Sequence, residues 1–360
     1  MRTCSGRDPY FEKEEKKMPV NIGQIGLGAW GRNLIRTFYN LSDVRVKIGC
    51  DTDASRLSAL SSAFPGVNWT EDPAEVIDDP SIDAIVVATP PASHFELASR
   101  AVKAGKDVFV EKPLSLDLES GLKLVSMAAK AGRILMVGHI MEYHPATLKL
   151  KEYIDGDKLG RIYYLYSTRI NLGKVRDIEN SLWSFAPHDI SLIMYLINEI
   201  PIRVTASGAS YLQSEIEDVA FMTMYFPDGI MAHVHVSWLD PHKERKLTVV
   251  GSKMMAVFDD ARSSEKIWLY DKGVETKRDY ETYGEYLSLR AGDILIPRLN
   301  SREPLQAECD HFIQCIKNRT QPRSDGNDGL RVLNVLTAAQ KSMKNGGVPV
   351  EIEPIKLEEL

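Results

Sequence analysis

Val20-Asn21-Ile22-Gly23-Gln24-Ile25-Gly26-Leu27-Gly28-Ala29-Trp30-Gly31 is the stretch whose reading decides the fold of this chain. Its apolar run, Val20 to Ile25, leads into a glycine-rich turn, and Leu34, Ile35, Phe38 and Leu41 follow at helical spacing. Strand, glycine turn and helix in that order make a dinucleotide-binding unit: Gly26 allows the tight bend, Gly28 lets backbone amides approach a pyrophosphate, and Gly31 lets the helix lie close to its strand. Ala29 and Trp30 supply the intervening amides, and the helix N-terminus faces the phosphates.

The glycine spacing alone is a weak signal, because structural turns produce it too. A second apolar run, Val44 to Cys50, ends in Asp51, 20 residues after Gly31, where the carboxylate that binds an adenosine ribose is expected. A carboxylate accepts hydrogen bonds from a 2′-hydroxyl and repels a 2′-phosphate. Thr52 and Asp53 bring no cation in its place, so NAD is favoured over NADP. Arg56 is the one nearby cation; stacking on the adenine and a solvated helix position are equally open to it.

The alternation continues as Ala84 to Ala88 then Phe95 to Ala104, Val108 to Val110 then Leu118 to Ala131, and Ile134 to Val137. That pattern predicts an α/β, doubly wound parallel sheet covered by helices on both faces, a Rossmann domain over residues 18–140. Pro90, Pro91 and Pro113 follow the ends of two of these strands, the side on which doubly wound sheets bind ligands.

Beyond a linking helix over Pro145 to Ile154, strands are expected at Ile162 to Ile170, Arg203 to Leu212, Val219 to Phe226, Ile230 to Trp238, Lys246 to Val250 and Ile267 to Tyr270. Pro227-Asp228-Gly229 is a hairpin signal between two of them. Residues 141–360 therefore read as a mostly antiparallel, open-sheet α+β domain. Its strand Met231 to Trp238 alternates an apolar face (Ala232, Val234, Val236, Trp238) with a mixed one (Met231, His233, His235, Ser237). An open face of this kind predicts a homodimer or homotetramer formed through the sheet. Leu305 to Ile316 and Leu330 to Met343 read as amphipathic helices packing back toward the first domain, separated by the turn-rich Gln321 to Asp328.

At 360 residues, with 44% hydrophobic and 26% charged, the chain has room for two cores and the composition of a soluble globular protein. A net charge of -6 and a pI near 5.8 speak against a nucleic-acid surface. The apolar runs fall well short of the roughly 20 residues that span a bilayer, so no membrane partner is expected. Residues 1–17 are mostly polar, with the mixed-charge run Glu12 to Lys17 and no apolar secretory segment, and are expected to be a flexible extension outside the fold. Cys4, Cys50, Cys309 and Cys315 lack CxxC spacing and suit reduced thiols in a cytoplasm. His233 and His235 share a strand face with no acid or thiol at ligand spacing, so no metal is expected.

Ala88-Thr89-Pro90, Glu111-Lys112-Pro113 and Pro187-His188-Asp189, taken with the glycine turn, resemble the Gfo/Idh/MocA family from about Val20 to the C-terminus. Within it, Gly28-Ala29-Trp30-Gly31, Asn171-Leu172-Gly173, Leu182-Trp183 through Ile190-Ser191, and His235 through His242 look like the UDP-N-acetylglucosamine 3-dehydrogenase branch. The resemblance implies NAD held by Gly26, Gly28, Ala29, Trp30, Gly31, Asp51 and Arg56, with Thr89, Pro90, His94, Glu111 and Lys112 at the strand ends beside it. It implies Lys112 next to the nicotinamide, before a cis Pro113, and His188 as the catalytic histidine. Tyr143, Arg169, Asn171, Arg176 and Ser184 would join His188 around the substrate, the two arginines as diphosphate partners.

His188 itself lies in an apolar stretch ahead of a helix expected from Ile190 to Leu196. A neutral imidazole accepts a hydroxyl proton, and a desolvated lysine beside a positive ring has its pKa drawn down, so either His188 or Lys112 qualifies as the base. Many family members carry Asp four residues before the histidine, whereas Ser184 here brings no charge. The implied reaction is NAD-dependent oxidation of the C3 hydroxyl of a UDP-linked N-acetylhexosamine. A polyol or free-sugar dehydrogenase and a non-catalytic dinucleotide sensor are the alternatives.

Overall fold

The computed structural model describes residues 18–276 and 287–355; the extension expected over 1–17 lies outside the described residues. Six strands form the first sheet: β1 (Val20–Ile25), β2 (Val44–Cys50), β3 (Asn68–Thr70), β4 (Ala84–Val87), β5 (Asp107–Val110) and β6 (Leu135–Val137). They pair in parallel in the order β3-β2-β1-β4-β5-β6. β4 and β5 are buried along their whole length, the condition of a parallel sheet covered on both faces. The covering helices are α1 (Gly31–Tyr39), α2 (Ala54–Ser61), α3 (Pro73–Ile77), α4 (His94–Lys103) and α5 (Leu118–Lys130). Strand order reverses between β1 and β4, so a ligand crevice opens at their carboxyl ends, beside Gly26 and Ala88.

After α6 (Pro145–Asp155) comes a nine-stranded sheet: β7 (Ile162–Ile170), β8 (Arg203–Ala209), β9 (Val219–Tyr225), β10 (Met231–Ser237), β11 (Glu244–Gly251), β12 (Met255–Asp259), β13 (Ile267–Thr276), β14 (Leu287–Leu295) and β15 (Val350–Glu351). Its order is β14-β13-β12-β11-β7-β10-β9-β8-β15, and every pair is antiparallel except β7 with β10. β8 stops at Ala209 rather than Leu212, because the Asp218 carboxylate accepts the Tyr211 and Leu212 N–H groups at 2.7 and 2.8 Å and turns the chain away. One face of the sheet is apolar and covered; the other exposes Tyr164, Tyr166, Phe221 and Met231.

α7 (Ser181–Ile197) lies on the covered face. It begins well before the Ile190 expected from sequence, since the Asn180 side chain accepts the Trp183 N–H at 3.1 Å and caps a helix that carries Pro187 inside it. His188 is therefore a mid-helix residue. Leu182, Ala186, Ile190 and Ile193 bury against Val234, Val236 and Leu247 in one core.

The last two helices return to the first sheet. α8 (Pro304–Asn318) places Phe312 with its ring centroid 5.7 Å from Phe109 and 6.4 Å from Phe38. α9 (Gly326–Lys344) contributes Leu330 to a core beneath the first sheet and Val332, Val335 and Leu336 to the core of the second. Among the described residues no helix is long and apolar enough to cross a membrane.

Candidate active site

Gly26 has φ +97°, and a Cβ there would lie 2.4 Å from the Ala88 carbonyl oxygen, so the turn requires glycine. A Cβ on Gly31 would lie 2.2 Å from the Gly26 oxygen, which fixes how close α1 starts to β1. Gly28 differs: the nearest atom to its Cβ position is Arg56 Nη1 at 4.0 Å. Nothing among the described residues fills that space, and it lies at the N-terminus of α1, which fits a pyrophosphate. Gln24, buried inside β1, donates to the Gly26 and Gly31 oxygens at 3.0 and 2.7 Å and ties the turn together.

Asp51 ends β2 beside this turn. Its Oδ2 accepts the Leu27 N–H at 2.7 Å and its Oδ1 the Asp53 N–H at 3.0 Å. Arg56 Nη1 lies 3.2 Å from Asp51 Oδ2, and its Nε 3.2 Å from Asp53, so Arg56 is an ion-paired residue beside the end of β2. Trp30 is half-exposed, and its indole N–H donates to Glu111 Oε1 at 2.5 Å, linking the glycine turn to the end of β5. Burial pushes the Glu111 carboxyl up to about 7, against the pull of Lys112 and of the Trp30 bond.

The Lys112–Pro113 peptide is cis. Lys112 Nζ donates to the backbone oxygen of Ser184, on α7, at 2.9 Å, so the end of β5 meets the helix that carries His188. Desolvation lowers the Lys112 pKa, with the Glu179 and Glu111 carboxylates opposing it. One helical turn after Ser184, the partly buried His188 bonds to no protein group among the described residues, and its Nδ1 is shielded from solvent. Burial first, then the Lys112 and Arg169 charges, push its pKa well down, so the ring is neutral at pH 7. Ser184 Oγ is also buried, with no partner among the described residues. Two unsatisfied polar atoms one turn apart on a helix share a face and fit a substrate hydroxyl.

Other residues implied by the resemblance stand elsewhere. Both nitrogens of the Arg169 guanidinium that face Asp189 engage its carboxylate, at 2.5 and 3.2 Å, and this buried fork anchors α7 to β7 rather than leaving a cation for a diphosphate. Arg176 pairs with Glu179 at 2.8 Å and remains 46% exposed. Asn171 follows β7, its N–H bonded to the Ser237 oxygen at 3.1 Å. Tyr143 is buried, its hydroxyl 3.0 Å from Ser324 Oγ and its ring under the Arg323 guanidinium, so it braces the entry to α9 instead of facing the cleft. His94 is fully buried, with ring nitrogens 2.8 Å from the Pro113 oxygen and 2.9 Å from the Thr89 oxygen; it joins two strand ends and presents nothing to a ligand. Thr89 is partly buried and Pro90 exposed at the mouth of the crevice.

Gln24, Glu179 and His139 were missed from sequence. A lone polar residue inside the apolar run of β1 could have signalled Gln24 as a turn brace. Glu179 had no linear signal, because its effect on Lys112 depends on the loop before α7 folding over β5. His139, just after β6, is buried so deeply that its pKa falls to about 3.

A doubly wound sheet with an open glycine turn and a lysine at the end of β5, meeting a second domain whose α7 carries a histidine, defines a two-domain nicotinamide-dependent oxidoreductase. Residues 20–139 match the family described as "Oxidoreductase family, NAD-binding Rossmann fold", and residues 147–257 match the "GFO/IDH/MocA C-terminal domain". The chain belongs to the Gfo/Idh/MocA family, and it is an NAD-dependent dehydrogenase of the type acting on CH–OH groups. Inositol 2-dehydrogenase 2 of Saccharopolyspora erythraea is 30% identical over 226 residues, 61% of this chain and 67% of that protein. UDP-N-acetylglucosamine 3-dehydrogenase of Acidithiobacillus ferrooxidans is 27% identical over 320 residues, 87% of this chain and 94% of that protein. A solved structure of the A. ferrooxidans enzyme shares the fold, with a TM-score of 0.76 at 24% identity, covering 91% of this chain and 99% of that one.

Proposed function

We propose that the protein oxidises the C3 hydroxyl of a UDP-linked N-acetylhexosamine to a 3-keto sugar nucleotide, using NAD in preference to NADP. The observation that carries the chemistry is the junction of Lys112 with α7, where Nζ bonds the Ser184 oxygen and the neutral His188 ring stands one turn further on without a partner among the described residues. NAD, when bound, supplies the acceptor for the hydride leaving the carbon. Gly28, the N-terminus of α1 and the Asp51 carboxylate would hold it. His188 takes the hydroxyl proton on its free nitrogen, and Lys112 and Ser184 Oγ orient the alcohol.

The length-wide similarity to UDP-N-acetylglucosamine 3-dehydrogenase supports the sugar nucleotide. Arg176, half-exposed and in a pair that solvent can open, is the cation suited to its diphosphate. The exposed Tyr164, Tyr166 and Phe221 support a homo-oligomer built through the open sheet face. The closed Arg169–Asp189 fork, together with the inositol dehydrogenase relative, favours a second reading in which the substrate is a free cyclic polyol.

NADH formation separates the two. The purified protein is offered NAD with UDP-N-acetylglucosamine, its uronate, myo-inositol or scyllo-inositol. Turnover confined to the UDP-sugars is expected; turnover of an inositol with none on the UDP-sugars would replace the first reading by the second.

A further inference from the structure

A buried cluster that the catalytic reading leaves unused lies where the first sheet ends. His139 follows β6, Glu142 belongs to the short 3-10 turn Ile140–Tyr143, and Asp328 stands in the first turn of α9. One imidazole nitrogen and one oxygen from each carboxylate all lie within 4.8 Å of one another. Crowded carboxylates alone would mean little. The distinguishing residue is His139, which is 1% exposed and has no hydrogen-bond partner on either Nδ1 or Nε2 among the described residues. Asp328 Oδ2 likewise meets no N–H or hydroxyl donor.

Leaving a buried polar group unpaired costs on the order of 1–3 kcal/mol, and native proteins rarely carry several such atoms in one place without a ligand to satisfy them. For His139 the described residues supply none. Arg323 donates to the Glu142 backbone oxygen at 2.8 Å and stacks over Tyr143, so it and Arg331 act on the two carboxyls only through their charge, not as hydrogen-bonded partners. Ser191 Oγ donates to Glu142 Oε1 at 3.0 Å, and the Glu142 and Asp328 carboxyls share a hydrogen bond whose proton a divalent ion would displace. Asp325 caps α9 by accepting the Asp328 N–H at 2.8 Å, which fixes the Asp328 backbone without using its carboxylate.

We propose that His139, Glu142 and Asp328 bind one divalent transition-metal ion, which pins the start of α9 to the end of β6. A neutral imidazole and two carboxylates balance the charge of such an ion, and this nitrogen–oxygen set suits Zn²⁺ or Mn²⁺, with water completing the shell. Ligand atoms about 2.0–2.2 Å from one ion stand roughly 3–4 Å apart, so side-chain shifts of about an ångström close the site.

The test uses the whole, untagged chain, stripped with a chelator and titrated separately with Zn²⁺ and Mn²⁺ by calorimetry, with bound metal counted by elemental analysis. One ion per chain is expected, with a rise in Tm on loading. His139→Ala and Asp328→Asn should each weaken binding by at least about 10-fold and cancel that rise. The double variant His233→Ala, His235→Ala, on the exposed sheet face, should change neither. The proposal falls if neither ion binds saturably at one per chain, if His139→Ala and Asp328→Asn bind as the parent does, or if the His233, His235 variant is the one that loses the ion. Anomalous scattering from metal-soaked parent crystals avoids any folding defect of the variants: a peak within about 2.3 Å of a His139 nitrogen supports the site, and peaks elsewhere only overturn it.

Discussion

Lys112 and His188 are both held below their ordinary pKa, by desolvation first, and the protonated Lys112 lowers that of His188 further. Lys112→Met should therefore keep NAD affinity while lowering the single-turnover rate at least about 100-fold, the loss usual for an acid–base group. A near-parent rate would leave Lys112 a purely structural role. Ser184→Asp brings a carboxylate to the same turn of α7 and raises the pKa of its cationic neighbours, so the acidic limb of the kcat/KM profile should move to higher pH. An unshifted limb at full activity would separate Ser184 from the proton path. Glu111 gives a stability counterpart. Its folded pKa is raised from 4.5 to about 7, so its contribution is complete below pH 4.5 and is lost as pH climbs through 7. Glu111→Gln should remove that decline, worth up to about 3 kcal/mol, as read by denaturant unfolding of the NAD-free protein at pH 5 and pH 8. Lys112 and His188 stood out in sequence because their neighbours, Glu111, Pro113 and Pro187, form short local motifs, and the fold brings the end of β5 to the helix that carries His188. Asp189, in contrast, reads as part of the same motif, and only the fold reveals its engagement with Arg169.

The β1–α1 unit separates two kinds of glycine. Gly31→Ala forces a Cβ to 2.2 Å from the Gly26 oxygen and should lower Tm sharply; Gly28→Ala meets only Arg56 Nη1 at 4.0 Å and should leave Tm unchanged while weakening NAD. Equal Tm losses in both variants would mean that Gly28 serves packing, not the cofactor. Periodicity revealed this unit, and β4 to β6 with it, because long apolar runs alternate with helical ones. It did not reveal β3, three residues of which none is fully buried, at the sheet edge. α2 and α3 were missed too, each too short to show a strong apolar face, as were β12, β14 and β15. α7 was started nine residues late because Pro187 reads as a helix boundary, and the cap that overrides it is a single Asn180 side chain.

At the scale of the molecule, α8 joins the C-terminal region to the first sheet through one aromatic cluster. Phe312→Ala should cost about 3–5 kcal/mol in unfolding free energy, since it empties the space between Phe38 and Phe109. A loss under about 1 kcal/mol in calorimetry would show that α8 is held by other contacts. The Cys309 and Ile313 side chains belong to the same cluster. The lone parallel pair, β7 with β10, carries a different consequence. Antiparallel neighbours can zip together through tight turns, but β10 reaches β7 only after a long excursion that includes α7, β8 and β9. Closing the middle of the large sheet therefore requires α7 to have been laid across it. Because that crossover is also the segment bearing Ser184 and His188, the assembly of the scaffold and the positioning of its reactive side chains are one event in the chain's folding, and a late non-local one.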